Sequence, residues 1–401
     1  MVDATTVRAV NDMTARWARD AVGERGTVLT AAGVWPLLAL LAGPAAGQAR
    51  KELAEALGTD AEHAVRAGCD LLAALDAADG VDAALGLWTQ RLLALRPEWL
   101  GSLPLDLHGE LTGDASADQE TLNAWARRHT DGLIEHMPVE VTPDTLLVLA
   151  SALLVHTTWA YPFRERPLRV DEGPWAGREL TGLSLYGVAP EQFRVYRTPA
   201  GPLTAFDVAG DNGLDVQLLL GPEDMPGGEV LRHGLAALGG GYVSVSGAEL
   251  AEGAGPGLTV TSEPSWDGAP RVDLLTARFT VDTEHDLLER AGLFGLETAM
   301  DDSRGHFPGI SETPLAVSSA KQAVTATFGP LGFRAAAVTA MSLGLGSVPQ
   351  TPPYEARLVS ARYDRPFGFL AVHRASGLAL VAGWVTDPDV WDGSLGGPGM
   401  W

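Results

Sequence analysis

The sequence predicts a single domain of the α+β class, and three observations carry that prediction. Apolar residues recur at helical spacing mostly in the first half of the chain. Strand-like runs separated by turn residues fill the second half. No internal repeat or linker divides the 401 residues.

Val7, Val10, Met13, Trp17 and Ala21 stand three or four apart, which predicts an amphipathic helix over 5–22. A short strand over 27–30 follows. An apolar helix is expected over 35–43, with Pro36 in its first turn, where a missing N–H costs nothing. Residues 48–57 read as a helix stopped by Gly58. Residues 60–78 read as another, holding Cys69, which is read as a buried thiol. A strand begins at 83–88. The clearest helix is placed at 118–137, with Leu122, Trp125, Ala126, His129, Leu133 and Ile134 on one face. Residues 146–155 are apolar almost without interruption, which predicts a strand buried on both faces. Strands and turns alternate over 183–222, with Asp211-Asn212-Gly213 as one turn. A strand is expected over 272–281 and a helix over 286–295.

Composition narrows the function. A hydrophobic content of 46% with 20% charged residues indicates a folded globular chain. The net charge of −23 repels nucleic acid and anionic membranes, so neither is expected as a partner. One cysteine excludes an internal disulfide. No apolar run reaches eighteen residues, and the first residues lack the pattern of a signal peptide. The chain therefore reads as cytoplasmic, although an exported chain already processed would read the same. The nine histidines are scattered, and His129 and His136, seven apart on one expected helix, are a poor metal pair. No Gly-x-Ser-x-Gly or His-Glu-x-x-His motif is present, so no enzyme, metal or cofactor is expected.

One stretch is unusual for its place. Gly332-Phe333-Arg334-Ala335-Ala336-Ala337-Val338-Thr339-Ala340 is strand-competent and built largely of small residues. It leads into a Gly- and Pro-rich segment that suits an exposed loop, and Arg365-Pro366-Phe367-Gly368-Phe369 returns to a buried-strand pattern.

At these residues the chain resembles the serpins. Gly332 to Ala340 is similar to their hinge. Phe367-Gly368-Phe369 after Pro366 resembles the strand that ends their reactive loop, and residues 377–388 resemble their closing hairpin. Asn123 and Trp125 followed by Thr130, Gly132 and Ile134 resemble their helix across the central sheet. Leu147-Val148-Leu149-Ala150-Ser151-Ala152 resembles their central strand, with Ser151 where Asn is usual. Phe307-Pro308-Gly309-Ile310-Ser311 is a further match, and Thr30-Ala31 stands where the family has Ser-Pro, a difference read as one of packing. With its Ala- and Gly-rich, Lys-poor composition, the chain reads as a bacterial-type member.

The resemblance implies one serpin domain over 1–401, with three β-sheets, a large central sheet, eight or nine helices and a reactive loop over about 332–362. It implies a monomeric suicide inhibitor of a serine protease, subtilisin-like or chymotrypsin-like. The alternative is a non-inhibitory binding or accessory protein whose loop does not insert. Insertion needs alternation: Phe333, Ala335, Ala337, Thr339 and Met341 would point inward. Ser151 and Gln322 fall in the region that governs opening of the sheet.

At three points the sequence departs from the inhibitory pattern. Phe333 replaces a small residue, Gln322 stands near the place of a guarding His, and the loop is several residues longer than usual. Counting forward from the hinge puts the scissile bond near Leu345-Gly346, and counting back from Pro366 puts it near Glu355-Ala356.

Overall fold

The computed structural model describes residues 2–104, 106–130, 132, 134–187, 189–251, 253–333 and 353–393. Six of its eight described α-helices fall before residue 130: α1 (Ala4–Ala21), α2 (Ala31–Ala42), α3 (Gly47–Leu57), α4 (Ala61–Asp76), α5 (Pro97–Leu100) and α6 (Ala115–His129). Later come α7 (Gly227–Leu238) and α8 (Ala291–Phe294). Asp3, Asp60 and Asp114 cap α1, α4 and α6, each accepting two backbone N–H bonds in the first turn. Gly58 ends α3 at φ 70°, where a side chain would be strained.

Three helix boundaries differ from the sequence reading. Helix α2 starts at Ala31, because Thr30 Oγ1 accepts the Gly33 N–H at 3.4 Å and caps it. Pro36 is thus its sixth residue, inside the helix. Helix α6 stops at His129: Thr130 leaves helical geometry, and its hydroxyl accepts the Ile134 N–H at 3.1 Å. His129 and His136 therefore do not share a helix. Asp286 ends a strand and is held by Lys321 at 2.6 Å, so the helix expected over 286–295 is reduced to a 3-10 turn and α8.

The strands run in chain order as β1 (Thr27–Leu29), β2 (Val81–Gln90), β3 (His108–Leu111), β4 (Leu147–Val155), β5 (Thr157–Thr158), β6 (Arg164–Arg169), β7 (Glu179–Tyr186), β8 (Phe193–Thr198), β9 (Gly201–Ala209) and β10 (Leu214–Leu220). They continue with β11 (Ser244–Ser246), β12 (Leu258–Ser265), β13 (Arg271–Ala277), β14 (Phe279–Asp286), β15 (Val317–Phe328), β16 (Gly332–Phe333), β17 (Tyr354–Arg362), β18 (Phe367–His373) and β19 (Leu378–Val385). They form three sheets. One has the order β1-β19-β18-β10-β9-β8-β11, and a second the order β12-β17-β13-β7-β6. The central sheet runs β3-β2-β4-β15-β16-β5, with β14 pairing with β15.

The strand expected over 272–281 is two strands in two sheets. Arg278 separates them: its N–H bonds to Thr181, its C=O accepts from Asp389, and its guanidinium pairs with Glu165 at 2.9 Å and Asp389 at 2.7 Å. The chain is thereby carried from the second sheet into the central one.

Every residue of β4 is buried, because helices cover both faces of the central sheet. On one face Val148, Ala150 and Ala152 pack beneath Leu122, Trp125 and Ala126 of α6. Small residues there let the helix approach, and Gly109 lets the Trp88 ring lie flat: a Cβ at 109 would come within 2.3 Å of it. On the other face lies the fully buried α2. No described helix is long and apolar enough to cross a membrane.

Candidate functional site at the opening of the central sheet

Two stretches of the sheet differ in pairing, and the difference defines the site. Over most of their length β4 and β15 pair directly and in parallel, from Val317↔Leu147 to Ala323↔Ala152. Above that, β16 lies between β15 and β5, antiparallel to both: Phe333 faces Phe328 on one side and Thr157 on the other. The central sheet is therefore closed below and parted above, and the first two hinge residues occupy the gap.

That start is firmly anchored. Residues 329–332 form a turn closed by the Gly329 N–H to the Gly332 carbonyl at 3.0 Å. Trp159 clasps the turn twice, with its backbone N–H on the Leu331 carbonyl and its Nε1 on the Gly329 carbonyl, both at 2.9 Å. The Phe163 N–H bonds to Pro330 at 2.8 Å. Phe333 is 1% exposed and sits 6.0 Å from Phe369, in an aromatic cluster that includes Phe279 and Phe328. Burying such a ring contributes about 1.5–3 kcal/mol. Phe333 thus points inward, as alternation required. Arg334, Ala335, Ala336, Ala337, Val338, Thr339 and Ala340, and the candidate scissile pair Leu345 and Gly346, lie outside the described residues.

Below the gap the structure brings Ser151 and Gln322 together. They stand opposite each other across the β4–β15 seam, and both are buried. Gln322 Nε2 donates to Ser151 Oγ at 3.3 Å and to the Thr30 carbonyl at 2.9 Å, while its Oε1 accepts the Thr30 N–H at 3.0 Å. One amide thus satisfies both backbone polar groups of buried Thr30 and ties the seam to the base of α2. Gly33 completes the site: a Cβ there would lie 2.5 Å from Ser151 Oγ.

Sequence reasoning missed three contributors. Thr30 holds the site through its backbone N–H and C=O. His285 lies opposite Gln322 in the neighbouring strand and donates from Nε2 to the Val28 carbonyl at 2.8 Å. Burial pushes its imidazole below the usual histidine range, with Arg290 acting in the same direction. Thr283 Oγ1 accepts the Val28 N–H at 3.2 Å. No advance signal in the sequence marked Thr283 and His285, which alternate there with Asp282, Glu284 and Asp286.

Comparison with known proteins agrees with this architecture. The family model described as serpin (serine protease inhibitor) matches residues 9–172 and 258–388. The chain belongs to the serpin family. Curated relatives include two rice sequences from Oryza sativa subsp. japonica. One, named as a serpin-Z6C, is 25% identical and covers 96% of each chain; the other, named as a serpin-Z6A, is 26% identical over 91% of this chain and 89% of its own. These relatives give no support to a bacterial-type reading. Among solved structures, Serpin48 of the insect Tenebrio molitor aligns with a TM-score of 0.72 at 17% identity, over 97% of this chain and all of its own. Human thyroxine-binding globulin in complex with its hormone aligns with a TM-score of 0.71 at 16% identity, over 97% and 99%. Likeness at that identity shows the fold alone.

Proposed function

We propose that the chain is a suicide-substrate inhibitor of a serine protease, subtilisin-like or chymotrypsin-like. A loop over about 332–362 is cut, and its hinge then enters the central sheet between β4 and β15. The observation that supports this reading best is the register of β16. Thr339 stands six residues beyond Phe333. Ser151 stands six before Thr157, and Gln322 six before Phe328, the two partners of Phe333. A strand that continues β16 without a slip brings Thr339 between Ser151 and Gln322.

Alternation puts Ala335, Ala337 and Met341 on the same inner side. Thr339 is then the one hydroxyl among small and apolar neighbours, at the one place where buried polar partners wait for it. A new strand of about a dozen residues, at roughly 1 kcal/mol net per hydrogen bond, releases on the order of 10 kcal/mol. That exceeds the cost of breaking the Gln322–Ser151 contact.

The test is denaturing electrophoresis after incubation with subtilisin or chymotrypsin. A band at the summed mass that survives boiling is expected, together with a rise in melting temperature of the cleaved chain. A clipped chain beside fully active protease overturns the proposal and leaves the non-inhibitory binding protein as the reading.

A further inference from the structure

Among the described residues, no strand covers the upper edge of β2. Strand β3 pairs with β2 only from Leu87 onward. The direction of the β2 backbone is fixed at both ends. Leu87 donates to Leu107, and Arg91 to Leu111, on the β3 side. Gly80 accepts from His156, and Gln90 donates to Leu146, on the β4 side. Odd-numbered residues therefore turn their N–H and C=O groups away from β4. Ala83 and Leu85 do so above the point where β3 begins, and no described strand pairs with them there.

These two residues line a cavity of about 440 Å³. Helix α4 forms one wall with Leu72, Ala73 and Asp76, and α6 forms the other with Trp125 and His129. Asp106, held in the left-handed region at φ 64°, lines the same cavity as Asp76. Neither carboxylate has a cation partner among the described residues.

We propose that this cavity binds a short extended peptide segment carrying a basic side chain. The segment would add as a strand to the Ala83–Leu85 edge, with its cation between Asp76 and Asp106. No described strand takes the outward N–H and C=O groups of Ala83 and Leu85, two alternate residues in the pattern a peptide backbone matches. Acidic walls on a chain of net charge −23 select for a cation. Such strand addition lies at the opposite side of the sheet from β16 and does not depend on the inhibitor reading.

Hydrogen–deuterium exchange on the full chain with millimolar Ac-Val-Lys-Val-NH2 tests this. Exchange over residues 81–87 is expected to slow several-fold, and Ac-Val-Glu-Val-NH2 to have little effect. Ala73→Trp places a ring in the cavity and should abolish the slowing. Asp76→Lys, an exposed change that leaves the core untouched, should weaken it at least several-fold. No slowing in the parent chain, equal slowing with the Glu peptide, or undiminished slowing in both variants overturns the proposal.

Discussion

Gln322 and Ser151 touch across the middle of the β4–β15 seam, 3.3 Å from Nε2 to Oγ, and the same amide bonds both the N–H and the C=O of Thr30. Gln322→Leu keeps the approximate volume but leaves a buried N–H and a buried C=O without partners. Each unsatisfied group costs about 1–3 kcal/mol. The expected loss is about 3 kcal/mol, read as a lower midpoint in urea with an unchanged slope. An unchanged midpoint would remove Gln322 from the set of residues that hold the seam.

Gly33 is required by the same contact. A methyl at position 33 would sit 2.5 Å from Ser151 Oγ, in a site with no room to yield. Overpacking of this kind costs about 1–3 kcal/mol, so Gly33→Ala should destabilise by that amount. Ser151→Ala takes away the clashing oxygen. In a double-mutant cycle on unfolding free energies, the pair should therefore lose less than the sum of the singles, by about 1 kcal/mol or more. Strict additivity would show that the strain of Gly33→Ala falls on another neighbour.

Much of this was legible in the sequence, and the parts that were not share a cause. The apolar run that became β4, the stop of α3 at Gly58, and the Asn212-Gly213 hairpin follow from local chemistry. The split of 272–281 at Arg278 does not, because it depends on Glu165 and Asp389, each more than a hundred positions away. The early stop of α6 was hidden because Ile134 continues the helical spacing while packing into the same cluster from a loop. Ser151 and Gln322 were singled out by the family resemblance, Ser151 in an expected strand and Gln322 near the place of a guarding His. Their contact, 171 positions apart in sequence, and the bonds of Gln322 to Thr30, 292 positions away, emerge only when the chain is folded.

Phe333 has two consequences that can be separated. Phe333→Ala removes a ring packed near Phe369 and should cost about 3 kcal/mol. It should also free the start of the loop, so subtilisin at fixed concentration should cut the variant faster than the parent. A lowered melting temperature with an unchanged cutting rate would mean that the Trp159 and Phe163 bonds to residues 329–331 anchor the loop without help from the ring.

His285 gives the fold a pH dependence whose sign follows from its surroundings. Its ring is buried, meets Trp17 edge-on at 5.0 Å, and donates through Nε2 to Val28, an arrangement that a neutral imidazole satisfies. Its folded pKa is held below the ordinary value near 6.5, chiefly by burial. Below pH 6.5 the unfolded chain then binds a proton that the folded chain refuses, and stability falls as the pH falls. His108 and His233 are shifted the same way by burial and share in the slope. Carboxylates such as Asp301, lowered to about 2 by bonds from Ser303, act only in more acid solution. The melting temperature should therefore drop between pH 7.5 and pH 5. His285→Gln, which keeps a donor for Val28 but cannot titrate, should drop less over the same interval. Parallel curves for the two proteins would mean that His285 takes up its proton in the folded chain as readily as in the unfolded one.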